Sequence, residues 1–306
     1  MLRELIRKLA RRPAESQRVC LEVRPDGIAW ALSSAGAEMQ PCGFAECTPA
    51  KRLEVLQGLV SEHRWEGLGA SLVLPLDQYQ VFQLERPEGI EDQELADALK
   101  WKLKDLLDFS PSDAVSDVFD FPEDASRGRG HLVNVVAARR SLVTELIALV
   151  QDAELELEKI DIAELALRNL AAQLEGPNRA AALVHLRDRY GQMVICKDDT
   201  LYLSRRLDVP FADLRDVARQ ENAVQSLALE LQRSLDYYES QLGQVPPPVI
   251  HVVSRDSSLP LSSMMGSYVA SGIEMLDGEA LGLADLDSRC LAVWGETLAD
   301  RAGGAQ

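Results

Sequence analysis

The residue types that usually carry catalysis are present but scattered. Ser33-Ser34 and Ser262-Ser263 are paired hydroxyls with no histidine near them in sequence, and no GxSxG elbow occurs. A Ser-His-acid site would need tertiary approach to His63 or His251, which the sequence leaves open. Cys20, Cys42, Cys47, Cys196 and Cys290 are odd in number and form no CxxC pair, so they read as buried thiols of a reducing compartment. His63, His131, His185 and His251 fall in different elements, and no metal site is expected. There is no Walker lysine loop and no GxGxxG; Gly128-Arg129-Gly130 reads as a mobile hairpin turn. Glu154, Glu156 and Glu158 alternate with Leu155 and Leu157, which suggests a half-buried strand leading to Ile160 with its acids on a solvated face. These residue types point away from an enzyme.

The elements that would position any site are clearer. Residues 72–74 read as a buried strand and residues 79–84 as a second, with Pro75 in the turn between them. An amphipathic helix follows, with Asp92 as N-cap and Leu95, Ala98, Leu99, Leu103, Leu106 and Leu107 on one face until Pro111 ends it. Asp97, Lys100, Lys104 and Asp108 occupy the other face. A strand, a helix and another strand without catalytic groups describe a docking module. Two hairpins flank it. Residues 19–23 and 28–32 surround the turn Arg24-Pro25-Asp26-Gly27, and residues 181–186 and 192–196 surround Arg187-Asp188-Arg189-Tyr190-Gly191. Strands are also expected at 118–121, 132–137, 201–203, 249–253 and 273–276. Helices are expected at 142–153, at 163–174 behind an Asp161 cap, from 211 through 225–242, at 264–270 and at 287–300. The duplicated hairpin start is a weak repeat signal.

Composition limits the partners. The chain has 306 residues, 46% of them apolar, and a net charge of -17. That charge argues against nucleic acid, which needs a concentrated basic face. No apolar run is long enough to span a bilayer, and no signal peptide is visible. The exception to the acidic balance is MLRELIRKLARR at the start, which places Leu2, Leu5, Ile6 and Leu9 at helical spacing, with Arg3, Arg7, Lys8, Arg11 and Arg12 outnumbering Glu4. Such a helix fits peripheral contact with an anionic membrane, where each basic residue adds roughly 1 kcal/mol. It fits equally well a partner helix, its own acidic domain, or a frayed end.

The order and spacing of these segments resemble the PilM family of pilus assembly proteins, and especially its MshI members of mannose-sensitive haemagglutinin (MSHA) pilus biogenesis. The resemblance rests on the first hairpin, on LVLPLDQYQVFQLERPEGIEDQELADALKWKLKDLLDFSPSDAVSDVFDFP, on EKIDIAELALRNL, and on SLALELQRSLDYYESQL followed by PPPVIHVVS. It covers about residues 18–294. It implies an α/β, actin-like (ribonuclease H-like, duplicated) fold of two lobes with an inserted strand-helix-strand subdomain. The expected layout is a basic helix at 1–13, a first lobe at 16–78 and 150–176, the insert at 79–149 and a second lobe at 177–300.

The resemblance also implies a nucleotide cleft, and the loops that would form it are altered. Where the family has aspartate, isoleucine, glycine and small hydroxyl residues, this chain has Glu22, Val23, Arg24, Pro25 and Asp26. Pro25 lacks an N–H and Asp26 sets a negative charge near a triphosphate. The second loop has His185, Leu186 and Arg187 in place of aspartate, a hydrophobic residue and glycine. The third has Ser254, Arg255, Asp256, Ser257 and Ser258 in place of paired glycines. A pseudo-ATPase without bound cofactor is therefore expected, ATP included; the opposing reading holds an anion through Arg24, Arg187, Arg189 and Arg255. The implied role is a non-catalytic scaffold at the cytoplasmic face of the inner membrane. Its partner would be the tail of a bitopic, PilN-like protein, with an assembly ATPase or platform protein as a second contact. Tyr79, Trp101 and Phe109 are candidates for the tail groove, each equally placed to be subdomain core. The alternatives are a nucleotide-binding switch and a type II secretion platform component.

Overall fold

The computed structural model describes residues 17–33, 41–128, 130–174, 176–256, 258–276 and 287–303. The expected helix at 1–13, with Leu2, Leu5, Ile6, Arg7, Lys8 and Leu9, lies outside the described residues, as do Ser34, Arg129 and Ser257.

Two five-stranded sheets repeat one topology. In the first, β1 (Arg18–Arg24), β2 (Gly27–Ser33), β3 (Cys42–Glu46), β4 (Gly69–Leu74) and β8 (Glu156–Ile162) are ordered β3-β2-β1-β4-β8. The tight turn after Arg24 makes β1 and β2 antiparallel. β4 returns parallel to β1 after α1 (Arg52–His63), and β8 returns parallel to β4 after α3 (Arg140–Asp152), because a parallel return requires a crossover. In the second sheet, β9 (Ala180–Leu186), β10 (Gly191–Lys197), β11 (Thr200–Leu207), β12 (Val249–Val253) and β13 (Gly272–Met275) are ordered β11-β10-β9-β12-β13. Here too an antiparallel hairpin is followed by parallel strands. Every residue of β4 and of β9 is buried, as near-continuous apolar runs require when both faces are covered.

The inserted subdomain is a sheet of its own. β5 (Tyr79–Glu85), β6 (Ala114–Asp120) and β7 (Leu132–Arg139) pair antiparallel in the order β5-β7-β6. Leu95 and Leu99 of α2 (Asp92–Leu99), with Leu103, pack on Val133, Val135 and Ala137, and Phe82, Leu84 and Val118 close the rim. The turn at Pro75 thus separates two sheets instead of joining two strands of one. The helix expected to run on to Leu107 changes character: α2 ends at Leu99, and a 3₁₀ turn, Lys102–Asp105, takes over. Tightening from 3.6 to about 3 residues per turn rotates the apolar stripe. Leu103 stays in the core, and Leu106, expected on the buried face, is 44% exposed. The N-cap position is Glu91, and Asp92 instead pairs with Arg86.

Two other expectations move. Asp161 does not cap α4 (Ala163–Ala171): β8 runs through Ile162, and the Asp161 carboxylate accepts from the Ile162 N–H at 2.8 Å. The helix expected at 264–270 is α7 (Leu261–Met265), starting after Pro260 and stopping at Gly266. The remaining helices are α5 (Phe211–Arg215), α6 (Gln220–Ser240) and α8 (Leu291–Gly303). β3 and α1 lie in a stretch for which the sequence raised no expectation.

The chain divides into two compact units, after Ala163 and again after Gly295; the junction expected between the two lobes lies at residues 176–177. α4 therefore belongs with the second sheet. Part of the reason is a close crossing with α8: a Cβ on Gly295 would lie 2.1 Å from the Ala166 carbonyl oxygen, and Asn169 Nδ2 donates to the Gly295 carbonyl at 3.1 Å. Gly295→Ala should cost about 1–3 kcal/mol in urea unfolding, because the obstacle is backbone. Gly58→Ala, in the interior of α1 with open space around it, should gain about 0.5–1 kcal/mol. Equal effects of the two substitutions would contradict the crossing.

Candidate functional site

Parallel strands place ligand sites beyond their carboxyl ends, and both sheets gather their candidate residues there. In the first unit these are Glu22, Arg24 and Asp26 at the end of β1. In the second they are His185 and Arg187 at the end of β9, with Arg255 and Asp256 after the neighbouring β12.

At the first turn the guanidinium of Arg24 is already engaged. Its Nε and second terminal nitrogen donate to Asp26 at 2.9 and 3.1 Å, and the group lies 5.2 Å from the Phe44 ring centroid. Arg52 donates to the Arg24 carbonyl and Gln78 to the Val23 carbonyl, fixing the end of the strand. The Arg24 side chain is only 6% exposed. This arginine braces its own turn, so an incoming anion would compete with Asp26.

Deeper in the same unit is a charge cluster the sequence did not announce. Ser71 pairs with Lys159 and Val73 with Asp161 across β4 and β8, while Cys20 pairs with Ser71 across β1 and β4. Lys159, Asp161 and Glu22 consequently share one sheet face. Lys159 Nζ lies 2.7 Å from Asp161 and 3.1 Å from Glu296 of α8. Burial pushes the Glu296 carboxyl up to about 8, with the Asp161 charge acting in the same direction and Lys159 against both. Burial alone would lower the Lys159 pKa, but the two carboxylates raise it above the ordinary lysine range. Glu158 is not on a solvated face: a register shift beside Ser71 re-aims it, and it pairs with Arg18 at 2.9 Å. Acids separated by single leucines looked solvated because alternation carries no sign of a bulge.

In the second unit, His185 faces Gln192 across β9 and β10, and Gln192 faces Arg206 across β11. His185 and Gln192 are buried, and neither amide atom of Gln192 has a hydrogen-bond partner among the described residues. Arg187 and Arg206 both lie over the Tyr190 ring, at 5.5 and 4.2 Å from its centroid. Arg255 is 3.6 Å from Asp188. Asp256 accepts from the Ser258 N–H and hydroxyl, and these bonds hold its carboxyl below the usual range. At the start of α4, burial drives Glu164 up to about 8 against a hydrogen bond to Ser204.

Of the groove candidates, Tyr79 is 6% exposed, on the face of β5 opposite Phe82 and Leu84, whereas Trp101 is 71% exposed, with Lys102 beside its ring. Phe109 is half-buried under Arg139, 4.4 Å from the ring centroid. Elsewhere, His63 stacks on Trp65 and also contacts Trp30, and burial pushes the Cys196 thiol up to about 12. Among the described residues no three His, Cys, Asp or Glu are grouped to hold a metal ion, and no helix is long and apolar enough to cross a membrane.

No protein-family model and no curated protein sequence matches the chain. Solved structures do. One chain of a PilM-PilN type IV pilus biogenesis complex aligns with TM-score 0.70 at 19% identity, over 93% of this chain and 98% of that one. The cytoplasmic domain of EpsL, an inner-membrane component of the Vibrio cholerae type II secretion system, gives 0.58 at 15% identity, over 95% and 96%. A Bacteroides thetaiotaomicron protein with an actin-like ATPase fold and unknown function gives 0.52 at 9%, over 91% and 96%. The fold is actin-like.

Two buried polar groups make the state of these half-sites measurable. The Ser71 hydroxyl and the Gln192 amide are fully buried without a hydrogen-bond partner among the described residues. Ser71→Ala and Gln192→Met should each be neutral or raise stability by about 1 kcal/mol in urea unfolding, because a buried polar group without a partner costs about that much or more. A clear loss at either position would show that the group has a partner in solution.

Proposed function

We propose that the protein is a non-catalytic scaffold of a type IV pilus machine, of MSHA type, working at the cytoplasmic face of the inner membrane. It would be a pseudo-ATPase that docks the cytoplasmic tail of a bitopic, PilN-like partner. The observation that carries this reading is the state of the cations. Arg24 is closed on Asp26, Arg255 stands beside Asp188, and Lys159 is seated between two carboxylates. Each of these three cations has a carboxylate beside it, which supports a cleft that does not hold a triphosphate. The solved complex whose chain resembles this one pairs PilM with PilN, which supports a tail as the partner.

The subdomain offers the surface. Trp101 and Leu106, flanking the 3₁₀ turn, are exposed large apolar side chains among its described residues, and large aromatic residues dominate the energetics of docking sites. An extended tail seated there gains contacts at the expense of ordering itself. An assembly ATPase or platform protein is proposed as a second contact. The EpsL likeness favours one further reading, a component of a type II secretion platform, which calls for the same docking chemistry.

Two measurements test the proposal. Thermal unfolding with excess Mg-ATP should show no shift, whereas a bound ligand at about 100 times its Kd would add roughly 2.7 kcal/mol. A clear shift would replace the scaffold with a nucleotide-dependent switch. Titration with a PilN-like tail peptide should show binding that Trp101→Ala weakens about tenfold or more while leaving the melting temperature unchanged. An unchanged affinity would move the groove away from Trp101.

A further inference from the structure

The cluster of Lys159, Asp161 and Glu296 has a charge count that does not balance. Two carboxylates face one ammonium. Glu296 is 1% exposed and Asp161 10%, while Lys159 reaches both at 2.7 and 3.1 Å and remains 40% exposed. A second contact joins Lys159 to the other Glu296 oxygen at 3.4 Å. Both carboxylates are held on the same ammonium, so each negative charge acts on the other. Burial of two like charges on a single counter-charge is relieved by holding a proton.

We propose that these three side chains form a proton-dependent latch between β8 and α8. With its proton, Glu296 donates to Asp161 and both lean on Lys159, which pins the turn of α8 that carries Glu296 and the buried Thr297 to the sheet. When the proton leaves to solvent, two carboxylates compete for one ammonium and that turn is released. The charged groups acting on Glu296 are Asp161 and Lys159 of β8. On the same sheet face Glu22 of β1 adds a further acid, and the Arg18–Glu158 pair is internally compensated.

The direction follows from linkage. Glu296 holds its proton more tightly in the folded chain, up to about 8, than the ordinary value of 4.5. Its contribution to stability is therefore largest below the unfolded value and is lost as pH rises from there through the folded one. Glu164 shifts the same way, by burial, so a pH profile of the wild type alone mixes the two. A comparison with a Glu296 variant cancels Glu164.

The experiment uses the full chain. Urea unfolding of wild type and Glu296→Gln across about pH 5 to about 9 should show wild type losing stability against the variant as pH rises. Backbone hydrogen exchange of α8, corrected for the intrinsic rate, should quicken about tenfold or more between about pH 6 and about pH 8.5 in wild type only. Parallel pH profiles, or exchange that changes equally in both chains, would overturn the latch. If Glu296→Gln does not fold, Asp161→Asn decides. Loss of the Asp161 charge removes one of the two effects that raise Glu296 while burial stays, so the pH step in α8 exchange should move to lower pH, and a step left in place refutes the proposal.

Discussion

Lys159 standing between Asp161 and Glu296 illustrates the constraint under which both units are built: the polar ends of their sheets are withdrawn from water. Glu22, Glu164, His185 and Gln192 are all buried in the same manner. A buried carboxylate must find a counter-charge, a donor or a proton. The chain uses Lys159 for Asp161 and Ser204 for Glu164, and the proposed latch adds a retained proton on Glu296. Where an open phosphate site would present glycines and free amides, the first turn presents Arg24 and Asp26, which satisfy one another.

That internal satisfaction connects the fold to the proposed role. An arginine held by its own turn, as Arg24 is by Asp26, strengthens the hairpin that starts the sheet and at the same time subtracts a ligand. The inserted subdomain exposes apolar groups of its own, at Trp101 and Leu106, on a sheet separate from those whose ends carry the charges.

Hairpins and long apolar runs could be read from the sequence because their signals are local. Arg24-Pro25-Asp26-Gly27 announces a turn, and the strand at residues 249–253 ends where its apolar run ends. The repeat was visible only as two similar hairpins, and the shared sheet order made it definite. What could not be read depended on distant partners. Asp161 looks like a cap because it precedes a helical pattern, and only Glu296, far along the chain, makes it part of a cluster. Glu158 looked solvated because a bulge shows in register and not in composition. Leu106 carried the right spacing for an α-helix that tightened before reaching it. Gln192 gave no signal at all, since an amide within an apolar run is ordinary until its burial is known.

The subdomain encloses its own hydrophobic cluster, Leu95, Leu99, Leu103, Val133, Val135 and Ala137, within a three-stranded sheet that exchanges no strand with its neighbours. Substitutions on its outer surface are therefore insulated from the lobe that carries it. A lineage could retune what this surface recognises, one side chain at a time, without renegotiating the duplicated sheets, and binding specificity could drift much faster than the architecture that supports it.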